Sequence, residues 1–207
     1  MIRVLFLGLI SASMISLVAA EEVSVAASAK DVRPLKAGEL VPDVSVSNAA
    51  GKPEKLSKYH ADGPAVIVFF RGSWCPICTK HFQDLIKAQP AIAKSGAQIV
   101  AISPDTVENT RANTEKLKIP FPLLSDSDLA ATKAFGLAFQ VDDVTITKYK
   151  GFGIDLEKAS GREHHALPVP AVYIVNKAGK ITFAHSNPDY TKRLDVETIL
   201  AELKQAQ

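Results

Sequence analysis

The chain has 207 residues, 47% of them hydrophobic and 22% charged, with a formal charge of +2. That is enough chain for one well-cored domain. No basic cluster stands out, which argues against nucleic acid or an anionic membrane surface as a partner. A structural zinc site needs four ligands, and the chain has two cysteines.

Residues 1–20 read as a secretory signal peptide. Arg3 is a short positive region, Val4 to Val18 is mostly apolar, and Val18-Ala19-Ala20 ends the run with small residues before Glu21-Glu22. The apolar run is shorter than the roughly 20 residues a membrane span needs, and no cysteine follows the small residues to carry a lipid. Cleavage after Ala20 would give an exported, soluble protein in a compartment where disulfides persist. That compartment is the periplasm if the source is a Gram-negative bacterium. Residues 21–36 are small, polar and without periodicity, and read as a flexible leader.

A single domain is expected over 37–207. Val44 and Val46 give a short alternating strand, with a turn over Asn48 to Gly51. Leu56 to Gly63 is a connector. Val66 to Phe70 is then five apolar residues, β-branched and aromatic, the mark of a strand buried on both faces. The turn Arg71-Gly72-Ser73-Trp74 leads into Cys75, and Pro76 suits the first helical position, so Cys75 falls at or beside a helix N-cap. Cys78, Phe82, Leu85 and Ile86 continue at helical spacing. Pro90 predicts a kink or break in that helix.

The cysteine pair carries the chemistry. At a helix N-terminus, exposed N–H groups and the helix dipole favour a thiolate at Cys75. Cys78, one turn on, is close enough to close a disulfide with it. A purely structural bridge would constrain little, because so small a ring removes little entropy from the unfolded chain. Placed after a buried strand and opening a helix, the pair reads as redox-active.

Further on, Ala97 to Ser103 is a second apolar strand ended by Pro104-Asp105, and Thr106 to Leu117 has helical spacing. Phe121 to Leu124 is short and apolar. Asp126 or Ser127 can cap a helix over Leu129 to Phe135, with Gly136 just past its end. Strands and helices thus alternate through the middle of the chain, the pattern of a sheet layered with helices. Leu137 to Pro168 breaks this rhythm and reads as a long insertion. Within it, Asp142-Asp143 reads as a solvated charge pair, Tyr149 and Phe152 as core of the insertion or as a roof over the cysteines, and His164 and His165 as exposed imidazoles. Ala171 to Val175 and Ile181 to Ala184 form a hairpin through N-K-A-G-K, and Val196, Ile199, Leu200 and Leu203 mark a C-terminal amphipathic helix.

The segments A-G-E-L-V-P-D, F-F-R-G-S-W-C-P-I-C, A-I-S-P-D, F-P-L-L-S-D and Y-I-V-N-K-A-G-K-I resemble the thioredoxin-fold peroxiredoxins of the alkyl hydroperoxide reductase and thiol-specific antioxidant family. The likeness runs from about Ala37 to the C-terminus, and is closest to a branch with R-G-x-W-C-P-x-C. It implies an α/β, thioredoxin-like fold: a central mixed sheet flanked by helices, with the insertion before the last hairpin. It also implies peroxide or disulfide chemistry at the first cysteine.

Two departures stand out. The family carries P-x-x-x-T-x-x-C, and Val68 and Gly72 occupy the proline and threonine positions here. Its usual arginine before the penultimate strand has no counterpart between His164 and Asn176. Arg71 either replaces part of that charge or is a solvated loop residue. Trp74 and the C-P-I-C pair are similar to thioredoxin centres, and Pro170 resembles the cis-proline that faces the disulfide there.

The expectation is a thiol oxidoreductase without a bound cofactor or metal. Cys75 attacks a hydroperoxide, Cys78 resolves the product to a disulfide, and a thioredoxin-like dithiol reduces it. A protein disulfide is the alternative substrate. Copper delivery, raised by His60, His81, His164 and His165, is a weaker third, because copper-delivery proteins of this fold place three residues between their cysteines and this chain places two.

Overall fold

The computed structural model describes residues 25–205, so the segment read as a signal peptide lies outside the described residues. The elements in order are β1 (Ser45–Ser47), β2 (Pro53–Lys55), a 3-10 helix (Leu56–His60), β3 (Ala65–Phe69), α1 (Pro76–Lys94), β4 (Gln98–Ser103), α2 (Val107–Leu117) and β5 (Leu123–Ser125). There follow α3 (Ala130–Ala134), β6 (Ala138–Gln140), α4 (Asp143–Gly151), α5 (Leu156–Ser160), β7 (Ala166–Pro168), β8 (Ala171–Val175), β9 (Ile181–Ser186) and α6 (Val196–Gln205). Seven strands form one sheet in the order β2-β1-β5-β4-β3-β8-β9, and β6 pairs with β7 apart from it. β3, β4 and β5 run parallel, while β8, β9, β1 and β2 join antiparallel. The expected mixed sheet with flanking helices is what forms.

The pleat of β3 explains why it lies at the centre. Val66 and Val68 face a core shared with Phe82, Leu85 and Ile92 of α1 and Ile199 and Leu203 of α6. Ile67 and Phe69 face the opposite core, with Leu56, Tyr59, Phe135 and Tyr173. Alternate residues thus bury against two layers, and all five are buried.

The break allowed for at Pro90 does not occur, and the leader reading is corrected. α1 continues through Pro90 to Lys94 as one helix. Pro90 sits on the solvent side near the helix end, where only one backbone bond is forfeited and the ring displaces water rather than core. Residues 25–36 are not a loose leader. Ala26 N–H donates to Ala138 O (2.9 Å), Arg33 N–H to Gly136 O (3.1 Å) and Leu35 N–H to Phe135 O (3.2 Å), while Ala29, Val32 and Leu35 pack on the core of β3 and Phe135. Three spaced apolar residues are enough to dock a segment whose polarity otherwise reads as solvated.

Asp126 caps α3 from a distance. Its carboxylate accepts the N–H of Ala131 (2.9 Å) and the N–H and hydroxyl of Thr132 (both 2.7 Å), and burial pushes its pKa up to about 6 against these bonds. Asp126→Ala strands those donors in the interior and is expected to lower stability by about 2–3 kcal/mol, read as a fall in the urea midpoint with an unchanged slope.

Candidate active site

The cysteine turn stands at the end of β3. Cys75 is the N-cap residue of α1 with extended backbone (φ −89°, ψ 112°), and Pro76 opens the helix. Cys75 N–H donates to Gly72 O (3.2 Å), and its own carbonyl accepts from Thr79 N–H (3.1 Å), the first helical bond. Both sulfurs are enclosed: Cys75 and Cys78 are each 2% exposed, and both are free thiols.

The two thiols titrate apart. The Cys78 thiol donates to the Cys75 sulfur, and this is the largest reason the Cys75 pKa drops to about 6. Burial opposes the drop, while the Cys78 backbone N–H and the charges of Arg71 and Arg193 assist it. That N–H belongs to the first turn of α1, so the expected help from the helix N-terminus arrives as one specific hydrogen bond. The same contact, from the other side, holds Cys78 well above its ordinary pKa, with burial and the Cys75 charge adding to it. A limiting alkylating reagent at neutral pH should therefore label Cys75 first, with a rate that reaches half its plateau near pH 6. Label appearing first on Cys78 in a peptide map would reverse the assignment.

Arg71 is not a solvated loop residue. It is 3% exposed, and its guanidinium lies over three rings, with Trp74 at 5.0 Å, Tyr149 at 5.4 Å and Tyr190 at 3.9 Å to the centroids. It also donates to the Tyr149 hydroxyl. Planar, weakly hydrated guanidinium suits such a ring cage. The cage places a fixed positive charge beside the Cys75 sulfur.

Gly72 shows why the motif threonine is missing. It adopts φ 147°, and a Cβ built there would overlap Trp74 Nε1 and lie 3.0 Å from Asp105 Oδ1. The Trp74 indole and the Asp105 carboxylate already occupy the space a side chain would need. Asp105, at the end of A-I-S-P-D, accepts Ser73 N–H (2.7 Å) and the Ser103 hydroxyl (3.0 Å). Burial raises its pKa to about 6, and the nearby Cys75 charge pushes in the same direction.

The insertion is built rather than loose. Asp142 is not a free charge: it caps α4 by accepting Thr145 N–H and the Thr145 hydroxyl (both 2.8 Å). Asp155 caps α5 (3.1 Å to Lys158 N). Val141, Ile146, Leu156 and Leu167 bury together with Trp74 and Tyr149 against them. The Trp74 and Tyr149 rings stand 5.5 Å apart, so the insertion does roof the cysteine turn. Phe152 has no share in that roof, being 70% exposed. His164 is tied into the fold as well: Ala166 N–H donates to its Nδ1 (3.0 Å), and its Nε2 lies 3.0 Å from Ser127 O. His165 Nε2 lies 2.6 Å from Glu157 Oε1.

Pro170 does not play the expected part. Among the described residues no peptide bond is cis, so Val169–Pro170 is trans. The preceding β7 pairs with β6, and Val169 N–H bonds to Leu137 O (2.9 Å), so the insertion holds the approach to Pro170 in extended form.

Arg193 and Tyr190 were not singled out in the sequence. Arg193 Nη2 donates to Cys78 Sγ at 3.5 Å. Both residues sit in N-P-D-Y-T-K-R-L, which reads as a plain polar turn. Only the return of β9 along β8 brings that turn back to α1. Among the described residues no group of three or more His, Cys, Asp or Glu side chains stands together as a metal site.

The comparisons agree with this architecture. The model of the AhpC/TSA family matches residues 37–184. The chloroplastic peroxiredoxin Q of Sedum lineare is 27% identical over 150 residues, covering 72% of this chain and 68% of that protein. Among solved structures, peroxidoxin BcpB of Mycobacterium tuberculosis is similar with a TM-score of 0.65 at 22% identity, covering 84% of this chain and 99% of that one. Peroxiredoxin Q of Xanthomonas campestris gives 0.63 at 22% identity, over 82% of this chain and 97% of that one. At such identities the structures speak for the thioredoxin-like fold, while the family match spans most of the chain. The chain belongs to the AhpC/TSA family and is a peroxiredoxin-type thiol peroxidase.

Proposed function

We propose that the protein reduces hydroperoxides through Cys75, resolves the product with Cys78, and is reset by an external thioredoxin-like dithiol. The observation that carries this reading is the asymmetric thiol pair at the α1 N-terminus, with Cys75 ionised near pH 6 and Cys78 donating to it. Cys75 thiolate attacks one peroxide oxygen; the O–O bond breaks, Cys75 becomes a sulfenic acid, and the other oxygen leaves as hydroxide or alkoxide. Donors aimed at the departing oxygen usually contribute more to such catalysis than any other group. The motif threonine is gone, so the caged Arg71 and the backbone N–H groups at the helix start are the candidates here. The reaction is therefore expected to be slower than with the full P-x-x-x-T-x-x-C motif, by about 10²–10³ for one lost donor.

The alternative substrate, a protein disulfide, rests on the missing motif threonine and arginine, although Val169–Pro170 lacks the cis bond of thioredoxin-like centres. The family likeness over most of the chain keeps the hydroperoxide reading first. Copper delivery keeps only the sequence argument stated above. We also infer export, supported by the n-region, apolar run and small-residue end of residues 1–20. In a Gram-negative source this places the protein in the periplasm.

The test is a rapid-mixing experiment on the reduced chain with hydrogen peroxide, followed by Trp74 fluorescence and by trapping of sulfenic acid. The observed rate should rise with pH through about 6 and then level, falling about tenfold per unit below it as Cys75 protonates. A protein that forms neither sulfenic acid nor disulfide with peroxide, yet reacts readily with a protein disulfide, belongs to the other reading.

A further inference from the structure

The segment from 187 to 195 joins β9 to α6 and lies beyond the residues that the family model matches. Leu194 anchors it in the same core cluster as Cys78, Phe82 and Ile199. Asp189 stiffens it by accepting the Thr191 N–H (3.0 Å) and hydroxyl (2.6 Å). Two of its side chains then reach the cysteine turn. Tyr190 covers the Arg71 guanidinium. Arg193 spends one nitrogen, Nη1, on the carbonyls of Tyr190 and Lys192, and aims the other, Nη2, at Cys78 Sγ. A guanidinium tethered by its own strap has little freedom to leave a sulfur that is itself buried.

We propose that Arg193 is a positioning residue for the resolving step, holding the Cys78 sulfur as a thiolate while it attacks oxidised Cys75. The proposal deepens the function given above and rests on it for the identity of the oxidant. In that step Cys78 gives up its proton, its sulfur forms a bond to the Cys75 sulfur, and the S–O bond of the sulfenic acid breaks. The oxygen leaves as hydroxide, which with the released proton makes water. Oxidation counts balance, since the two electrons accepted by peroxide come finally from two thiols.

The groups facing Cys78 explain the timing. Cys75 lies on one side, and the Arg71 backbone N–H and the Arg193 guanidinium lie on others. His81 with Asp84 on α1 and Asp189 on the strap act on or beside Arg193 rather than on the sulfur. While Cys75 is an anion it takes the Cys78 proton as a hydrogen bond and keeps Cys78 neutral. Once Cys75 carries an oxygen, that charge is gone. Arg193 and the Arg71 N–H then favour the Cys78 anion against burial. Resolution is thus switched on by the first oxidation.

The titration uses full-length Cys75→Ser protein, in which ultraviolet thiolate absorbance reports Cys78 alone. Adding Arg193→Gln should raise its midpoint by about one pH unit or more, the usual effect of losing a close opposite charge. Arg193→Lys should keep the midpoint within about half a unit, because the charge remains, and Lys192→Gln should leave it in place. A midpoint unmoved by Gln, or moved as far by the Lys variant or by Lys192→Gln, overturns the proposal. In the otherwise native chain, hydrogen peroxide should show Arg193→Gln slowing disulfide formation about tenfold more than sulfenic acid formation, the kinetic counterpart of one pH unit. Equal slowing of both steps also overturns it. If Cys75 of the native chain is never oxidised by peroxide, the functional reading fails, while the titration still decides what Arg193 does to Cys78.

Discussion

Cys75→Ser should leave a chain that turns over less than about 1% of the parent's hydroperoxide, since the thiolate and not a neutral hydroxyl is the nucleophile. Position makes the loss complete. Cys75 alone stands at the N-cap, where the Cys78 thiol, the Cys78 N–H and the Arg71 charge converge on one sulfur. Cys78→Ser should behave differently. It removes the proposed resolving sulfur but leaves the N-cap, so a single oxidation of Cys75 is expected, followed by accumulation of sulfenic acid and then its higher oxides. The Cys78 thiol supplies the largest part of the Cys75 shift as a hydrogen-bond donor, so in Cys78→Ala, which lacks any donor there, the half-plateau pH of that single oxidation should move upward. Mass spectrometry after one equivalent of peroxide separates the outcomes. Turnover surviving in Cys75→Ser, or no oxidation at all in Cys78→Ser, contradicts the division of labour.

Gly72→Thr, the change that restores the family's motif residue, should damage this protein. The new Cβ would overlap the Trp74 indole and stand 3.0 Å from the Asp105 carboxylate, and the residue would sit at φ 147°. Overpacking costs roughly 1–3 kcal/mol, and a β-branched residue at positive φ roughly 1–2 more. A loss of about 3 kcal/mol or more is expected in urea unfolding. Peroxide reactivity should fall as the indole is displaced from Arg71 and Tyr149. A variant as stable as the parent and faster with peroxide would show that glycine here is incidental rather than required by its neighbours.

What could be read in the sequence follows from where the information sits. The buried strand Val66 to Phe70, the N-cap at Cys75 and the hairpin through N-K-A-G-K are set by residues adjacent in the chain, so their local patterns suffice. Arg193 could not be found that way. Nothing in T-K-R-L marks one cation above its neighbours, and its reach to Cys78 depends on the antiparallel return of β9. Pro170 failed for the opposite reason. Its surroundings look like those of a cis-proline, but the β6–β7 pair before it holds the chain extended. The packing of residues 25–36 was hidden because a polar composition outweighs three spaced apolar residues in any window.

The helix cap at Cys75 also bears on the return half of the cycle. A fold that holds one sulfur as an anion lowers the free energy of the reduced dithiol, while the disulfide carries no charge for the same groups to stabilise. In the proposed cycle the Cys75–Cys78 couple is therefore expected toward the oxidising end of protein disulfides, so that an external dithiol would reduce it downhill. The groups that lower the Cys75 pKa would then also ease the proposed return step, and its equilibrium with a glutathione buffer should favour the dithiol more strongly as the pH rises from below 6 to above it, relative to a disulfide whose thiols are unperturbed.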